Sequence, residues 1–226
     1  MKSELIVAID GPSGAGKSTL SKALARQLGY VNIDTGAMYR TVALAAQRGK
    51  IEPSDNEGLK TLCEGIQIKF ILTDAGEQVL LNGENVSSAI RTPEISLLTA
   101  KFAAQPVVRS AMVELQQEMG AAGGVVLEGR DIGTVVFPEA EIKFFLSATA
   151  QERGRRRYEE LREKGVTVDL AQTIADVEAR DAADEKREHA PLKRADDAID
   201  IDSTSMTIDQ VLQQMMQMIE ARRQSL

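Results

Sequence analysis

The feature that most constrains this chain is "IDGPSGAGKST", Ile9 to Thr19, placed directly after the apolar run "LIVAI". Gly11 to Ser18 fits G-x-x-x-x-G-K-[ST], the spacing of a loop that wraps a phosphate chain. A short, continuous apolar run ahead of it reads as a strand buried on both faces of a parallel sheet. Behind it, Leu20, Ala23, Leu24 and Leu28 recur at helical spacing, and Gly29 stands where helices favour a left-handed end. In such a strand–loop–helix unit, Gly11, Gly14 and Gly16 let backbone N–H groups turn inward. The positive end of the helix faces the same anion. Lys17 then reaches the β and γ phosphates, and the Ser18 hydroxyl sits on Mg²⁺. The loop alone leaves open whether the phosphate is held, hydrolysed or passed on.

The rest of the chain extends this unit into a larger frame. "YVNID" reads as a second strand and "TGAMYRTVALAAQRG" as a second helix ending at Gly49, giving β-loop-α-β-α over the first fifty residues. After Ile51 the rhythm changes. "IQIKFIL" alternates, and Asn82-Gly83 marks a hairpin turn within "EQVLLNGENV", so a small antiparallel sheet is expected as an insert. A helical stretch follows from Pro93 to about Gly120, broken near Pro106. "GVVLEG" and "EIKFFLS" read as central strands, Ala150–Lys164 and Val168–Glu188 as charged helices, and "AIDIDST" as a last strand. Thr207–Arg223 reads as a closing helix whose Met215, Met216 and Met218 pack into the core. The expected fold is α/β, a central parallel sheet flanked by helices, with a small antiparallel subdomain and a short helical lid.

Composition limits the partners. The 226 residues carry a formal net charge of -7, which argues against a nucleic-acid polymer. With 43% hydrophobic residues, 4% aromatics and no Trp, the core must be mostly aliphatic. The single cysteine, Cys63, forms no internal disulfide and reads as a small buried hydrophobe. No apolar run approaches the ~18 residues of a membrane span, and the chain runs straight into its first strand, so a cytoplasmic location without a membrane partner is expected.

A second group of residues sits just past predicted strand ends, where open α/β sheets bind ligands. Asp34 and Thr35 follow the second strand, with Arg40 farther along the helix. Arg130 and Asp131 follow "VVLEG". Arg153 and Arg157 share one helix face, and Arg180, Asp184 and Arg187 share another. Phosphoryl transfer between two anions requires both to be held against their repulsion, which Arg forks and Mg²⁺ accomplish. An Arg surplus along one sheet edge therefore fits a kinase whose acceptor is itself a phosphate. A regulatory GTPase would carry an N-K-x-D guanine reader, and the sequence has none.

"IDGPSGAGKST", "IDTGAMYR", "IRTPE", "EGRDIGTVVFP", "RDAADEKREHAPL" and "AIDIDST", in that order, resemble the bacterial cytidylate kinase family over essentially the whole chain. The resemblance implies the P-loop nucleoside monophosphate kinase fold as a single domain. Its core would be 1–50, 101–149 and 166–226, with a monophosphate-binding insert at about 51–100 and a lid at about 150–165. It implies transfer of the ATP γ-phosphate to CMP or dCMP with Mg²⁺ by a monomer. It assigns Gly11, Pro12, Ser13, Gly14, Ala15, Gly16, Lys17, Ser18 and Thr19 to ATP, Ser18 to Mg²⁺, and Asp34 to the metal through water. Thr35 and Arg40 would hold the acceptor region, and Arg130 its phosphate. Arg109, Asp131 and Arg187 would read cytosine, with Arg180 and Asp184 at the sugar. Arg153 and Arg157 would clamp the transferring group, and Lys17, Arg130, Arg153 and Arg157 form the catalytic set. Glu128 stands where the family often has Asp. Ala100 falls about where some members carry a Ser on the base, with Thr99 as its substitute. His189, the one histidine, is read as structural, since in-line transfer needs no histidine base. A kinase for UMP or AMP and a non-catalytic nucleotide-binding regulator are the alternative readings.

Overall fold

The structure, a computed structural model, describes residues 4–73, 76–163, 165–187 and 190–225. Lys164, Glu188 and His189, on which expectations above fall, lie outside the described residues. The element order is β1 (Ile6–Asp10), α1 (Lys17–Leu28), β2 (Val31–Asp34), α2 (Thr35–Gly49), α3 (Asn56–Gly65), β3 (Ile68–Thr73), β4 (Gly76–Leu81) and β5 (Glu84–Asn85). It continues with α4 (Pro93–Ala103), α5 (Pro106–Gly120), β6 (Val125–Gly129), β7 (Ile142–Ser147), α6 (Ala150–Glu163), α7 (Leu170–Glu185), β8 (Ile199–Asp202) and α8 (Ile208–Gln224). A 3-10 turn covers Ala89–Arg91 and a single π-helical turn covers Ile132–Val136.

The larger sheet has strand order β2-β6-β1-β7-β8. β1 lies between β6 and β7 and pairs with both in parallel, with Val7 opposite Val126 and Ile142. All five β1 residues are buried, as the unbroken apolar run predicts. β3, β4 and β5 form a separate antiparallel sheet. Its β4–β5 turn is the Asn82-Gly83 pair, and both residues have positive φ, 49° and 87°.

The chain divides into two compact units, one of residues 1–32 with 122–226 and one of residues 33–121. The second unit encloses the segment expected as an insert, together with α2 and α5. In the first unit, Val7, Ile9, Leu20, Leu24, Phe144 and Leu146 form an apolar core with Val211, Met215 and Ile219 of α8. Met215 is fully buried there, and Met216 and Met218 pack against it. In the second unit, Val42, Leu59, Ile90, Ile95, Phe102, Val108 and Met112 are buried. Thr92 caps α4 by accepting from the Ile95 N–H at 3.2 Å, with Pro93 in the first helical position.

The observed helix bounds agree with the sequence reading at α2 and depart from it at α3 and α7. α3 was not anticipated; its ten residues are too few to show a clear period, and its start is set by Asp55 accepting from Gly58 N–H at 2.9 Å. α2 ends at Gly49 as expected, and Lys50 caps it, taking the left-handed conformation at φ 55° and donating its N–H to the Ala46 and Gln47 carbonyls. α7 stops at Glu185, so Arg187 lies beyond the helix end.

α6 and α7 meet at Gly154. A Cβ there would stand 2.4 Å from Ile174 Cγ1 and 2.9 Å from its Cα, so the helices approach too closely for any side chain. Gly154→Ala is expected to destabilise the fold by about 1–3 kcal/mol in chemical denaturation, because backbone must move. Gly65→Ala, where a Cβ would meet nothing within 4 Å, is the control and should be near neutral.

Candidate active site

In the first unit, β1 delivers the chain into the phosphate loop at Gly11. Gly11 has φ 147°, and a Cβ on it would stand 2.0 Å from the Leu146 carbonyl oxygen of β7. Only glycine lets the loop begin this close to the neighbouring strand. Gly16, at φ 95°, is the N-cap of α1, so the loop ends where α1 offers its free N–H groups. Lys17 is buried and its Nζ donates to the Gly11 and Pro12 carbonyls, both at 2.7 Å. Burial and the nearby Arg130 charge lower its pKa, against the opposing pull of Glu128 and Asp10. The Ser18 hydroxyl donates to Glu128 Oε2 at 2.8 Å, so a hydroxyl and a carboxylate lie side by side at the loop.

Past the end of β6, Arg130 Nε donates to Asp184 Oδ2 at 2.8 Å, and Arg187 pairs with the other oxygen of the same carboxylate. Burial opposes the ionisation of Asp184, but Arg130, Arg187 and Arg180 outweigh it and hold the carboxyl below its usual range. Arg187 reaches this carboxylate from beyond the helix end. Asp131 is buried next to Arg130 and opens the π-helical turn. The sequence reading passed over Asp10, which holds that turn. Its Oδ1 accepts from Ile132 N–H at 2.8 Å and its Oδ2 from Gly133 N–H at 2.7 Å. Burial pushes the Asp10 carboxyl up to about 6, against those two N–H bonds; Asp131 adds to the rise and Lys17 opposes it. An acid at the end of an apolar strand was the available signal.

The two expected lid arginines differ. Arg153 is buried, donates to the Ala148 carbonyl at 2.8 Å and the Ser13 carbonyl of the loop at 2.9 Å, and pairs with Asp181 at 2.5 Å. Arg157 is exposed and pairs with Glu160 at 2.7 Å, so the structure does not bring it to the loop. Arg156, not singled out from the sequence, lies closer to it. Its guanidinium donates to the Ser203 hydroxyl at 3.1 Å and carbonyl at 2.7 Å, and Ser203 Oγ is 3.3 Å from the Ala15 carbonyl. A single charged helix with five arginines gave no means of choosing among them.

In the second unit, α2 and α5 carry the remaining candidates. Thr35 is buried at the start of α2. Asp34 caps that helix, its Oδ1 accepting from Ala37 N–H at 2.8 Å and its Oδ2 pairing with Arg40 at 3.0 Å. Both oxygens of the expected water-mediated metal contact are thus engaged by α2. Arg109 is buried, donates to the Ala103 carbonyl at 3.3 Å and lies over the Tyr39 ring, 5.5 Å from its centroid. Thr99 Oγ1 bonds the Ile95 carbonyl of its own helix at 2.6 Å, and Ala100 is exposed. Among the described residues, no three His, Cys, Asp or Glu side chains form a metal cluster, and no helix is long and apolar enough to cross a membrane.

The family model described as cytidylate kinase matches residues 7–221. The chain is 64% identical to the cytidylate kinase of Syntrophotalea carbinolica, over 99% of this chain and 95% of that one. It is 57% identical to the cytidylate kinase of Geobacter sulfurreducens, over 98% and 95%. A crystal structure of an uncharacterized protein from Eubacterium ventriosum shares the fold, with a TM-score of 0.52 at 12% identity, covering 96% of this chain and 99% of that one. With the phosphate loop, the "GRDIGTVVFP" segment and a family match over nearly the whole length, the chain belongs to the cytidylate kinase family.

Proposed function

We propose that this chain transfers the γ-phosphate of ATP to CMP or dCMP, giving ADP and CDP or dCDP. The observation that carries the reading is the joining of the phosphate loop to an arginine cluster within one unit. Arg153 bonds the loop itself, and Arg130 and Arg187 converge on Asp184. A hydrolase or passive binder has no need of a second anion site, whereas transfer to a monophosphate requires one.

The loop N–H groups and the α1 terminus hold the donor phosphates. Lys17 exchanges its loop carbonyls for the β and γ oxygens, and its burial makes its charge effective there. The Ser18 hydroxyl and Glu128 carboxylate are hard oxygen donors placed together, which suits Mg²⁺, and they would hold it. Mg²⁺, when bound, supplies neutralisation of the bridging phosphate charge. Arg130 takes the acceptor phosphate, leaving Arg180 and Asp184 for the sugar. Asp131 and Arg187 face the base. The acceptor roles of Thr35, Arg40 and Arg109 rest on likeness to the family. An ionised Asp131 only accepts hydrogen bonds, so it suits the exocyclic amino group of cytosine and opposes the carbonyl of uracil.

A coupled assay of ADP release with CMP, dCMP, UMP and AMP tests the reading. CMP is expected to exceed UMP by roughly two orders of magnitude in kcat/KM, because a mismatched base leaves buried groups unpaired at about 1–3 kcal/mol each. Asp131→Asn should shrink that preference, chiefly through lost CMP activity. ATP binding with no ADP release in the presence of any monophosphate would instead support the regulator reading.

Lys17→Met should lower turnover by a factor on the order of 10³ while leaving CMP affinity nearly unchanged, as measured by steady-state kinetics and calorimetry.

The two arginines should separate. Arg153→Ala strands the Asp181 carboxylate and should lower both the melting temperature and turnover. Arg157 gives up only a surface pair, so Arg157→Ala should leave the melting temperature unchanged and lower turnover by about tenfold through the closed state.

A further inference from the structure

We infer that Asp10 is a positioning residue for recognition of the acceptor base, acting through the backbone of Asp131. This deepens the reading above and rests on Asp131 facing the base. The peptide unit between Asp131 and Ile132 is held from both sides. Its carbonyl accepts from the Val135 and Val136 N–H groups of the π-helical turn, at 2.8 and 3.2 Å. Its N–H is bound by Asp10 Oδ1, and the next N–H by Asp10 Oδ2. Rotating that unit would swing the Asp131 side chain, and it would break bonds on both faces of the peptide. Asp10 thus caps the turn from another strand, satisfying two N–H groups that the turn cannot satisfy itself.

The anchor is rigid. Asp10 is the last residue of the central strand, paired in register with Gly129 on one side and Phe145 on the other. It immediately precedes Gly11. One strand end therefore sets both the start of the donor phosphate loop and the orientation of the residue that reads the acceptor. The residue type matters because two adjacent N–H groups need two acceptor atoms on one short side chain, and only a carboxylate supplies them. The approach is also tight from the far side. A Cβ on Gly133 would lie 3.0 Å from Lys143 Cδ and 3.4 Å from Asp10 Oδ2.

The test is Asp10→Asn, which keeps the volume but turns an NH₂ group toward one of the two N–H groups. The variant is expected to raise KM for CMP about tenfold and to reduce the CMP:UMP ratio of kcat/KM about tenfold, with KM for ATP within about twofold of wild type. Placed in the Asp131→Asn background, the same change should cause no further loss of the ratio, because both act through one group. A folded Asp10→Asn enzyme with the wild-type ratio overturns the inference, as does an equal loss toward CMP, UMP and ATP, which marks a general structural role. If Asp131→Asn itself leaves the ratio unchanged, the reading of Asp131 fails; if Asp131→Asn shifts it and Asp10→Asn does not, only the positioning fails. Should Asp10→Asn not melt cooperatively, Asp10→Glu decides. It keeps two acceptor oxygens but displaces them by one methylene from the Ile132 and Gly133 N–H groups, and it should lower the ratio in the same direction; an unchanged ratio overturns the inference.

Discussion

The structure of the first unit depends on how closely the loop after β1 approaches β7. Gly11 lies against the Leu146 carbonyl with no room for a Cβ. That contact exists because β1 is clamped between β6 and β7 with every residue buried. Backbone N–H groups can hold a polyphosphate only if they are aimed before it arrives, since reorganising them would consume the binding energy. A central strand locked on both edges provides that rigidity. The residues proposed to act at the site follow from the ends of the same three strands: Lys17 and Ser18 after β1, Glu128, Arg130 and Asp131 at β6, and Arg153 after β7.

The charge distribution follows a second constraint. The chain is acidic overall, yet the residues proposed to hold anions include several arginines. The structure pairs several of them with carboxylates: Arg153 with Asp181, Arg130 and Arg187 with Asp184, Arg40 with Asp34. These acids limit repulsion among the guanidinium groups and fix the planes of their forks. A phosphoryl group presents oxygens to an Arg fork much as a carboxylate does, so the geometry that binds one suits the other. Asp10 differs from these acids. Among the described residues it pairs with no Arg, it binds backbone N–H groups, and its carboxyl is pushed up to about 6 by burial.

Legibility in the sequence varied by the range of the interaction. The phosphate loop, the Asn82-Gly83 turn and the helix start at Pro93 were readable because a few adjacent residues dictate each backbone conformation. α3 was not, because its ten residues include two glycines and owe their start to an Asp55 side-chain cap. The π-helical turn at Ile132–Val136 was equally hidden. No local pattern distinguishes "IGTVV" from a strand, and its bonds come partly from Asp10, 122 residues away. The choice among Arg153, Arg156 and Arg157 was likewise beyond the sequence, since adjacent positions on one charged helix differ only in what packs against them.

By itself the sequence determined the strand–loop–helix that holds a phosphate chain, the α/β frame and the antiparallel addition, because each rests on periodicity or on a residue type that one conformation requires. Its motif order also determined the family. Only the tertiary structure decided which charges meet. It turned Arg153 onto the Ser13 carbonyl and set Asp10 beneath the Asp131 turn. The reason is distance along the chain: a hydrogen bond between residues a hundred positions apart is set by how strands are ordered and registered, and no local pattern encodes it.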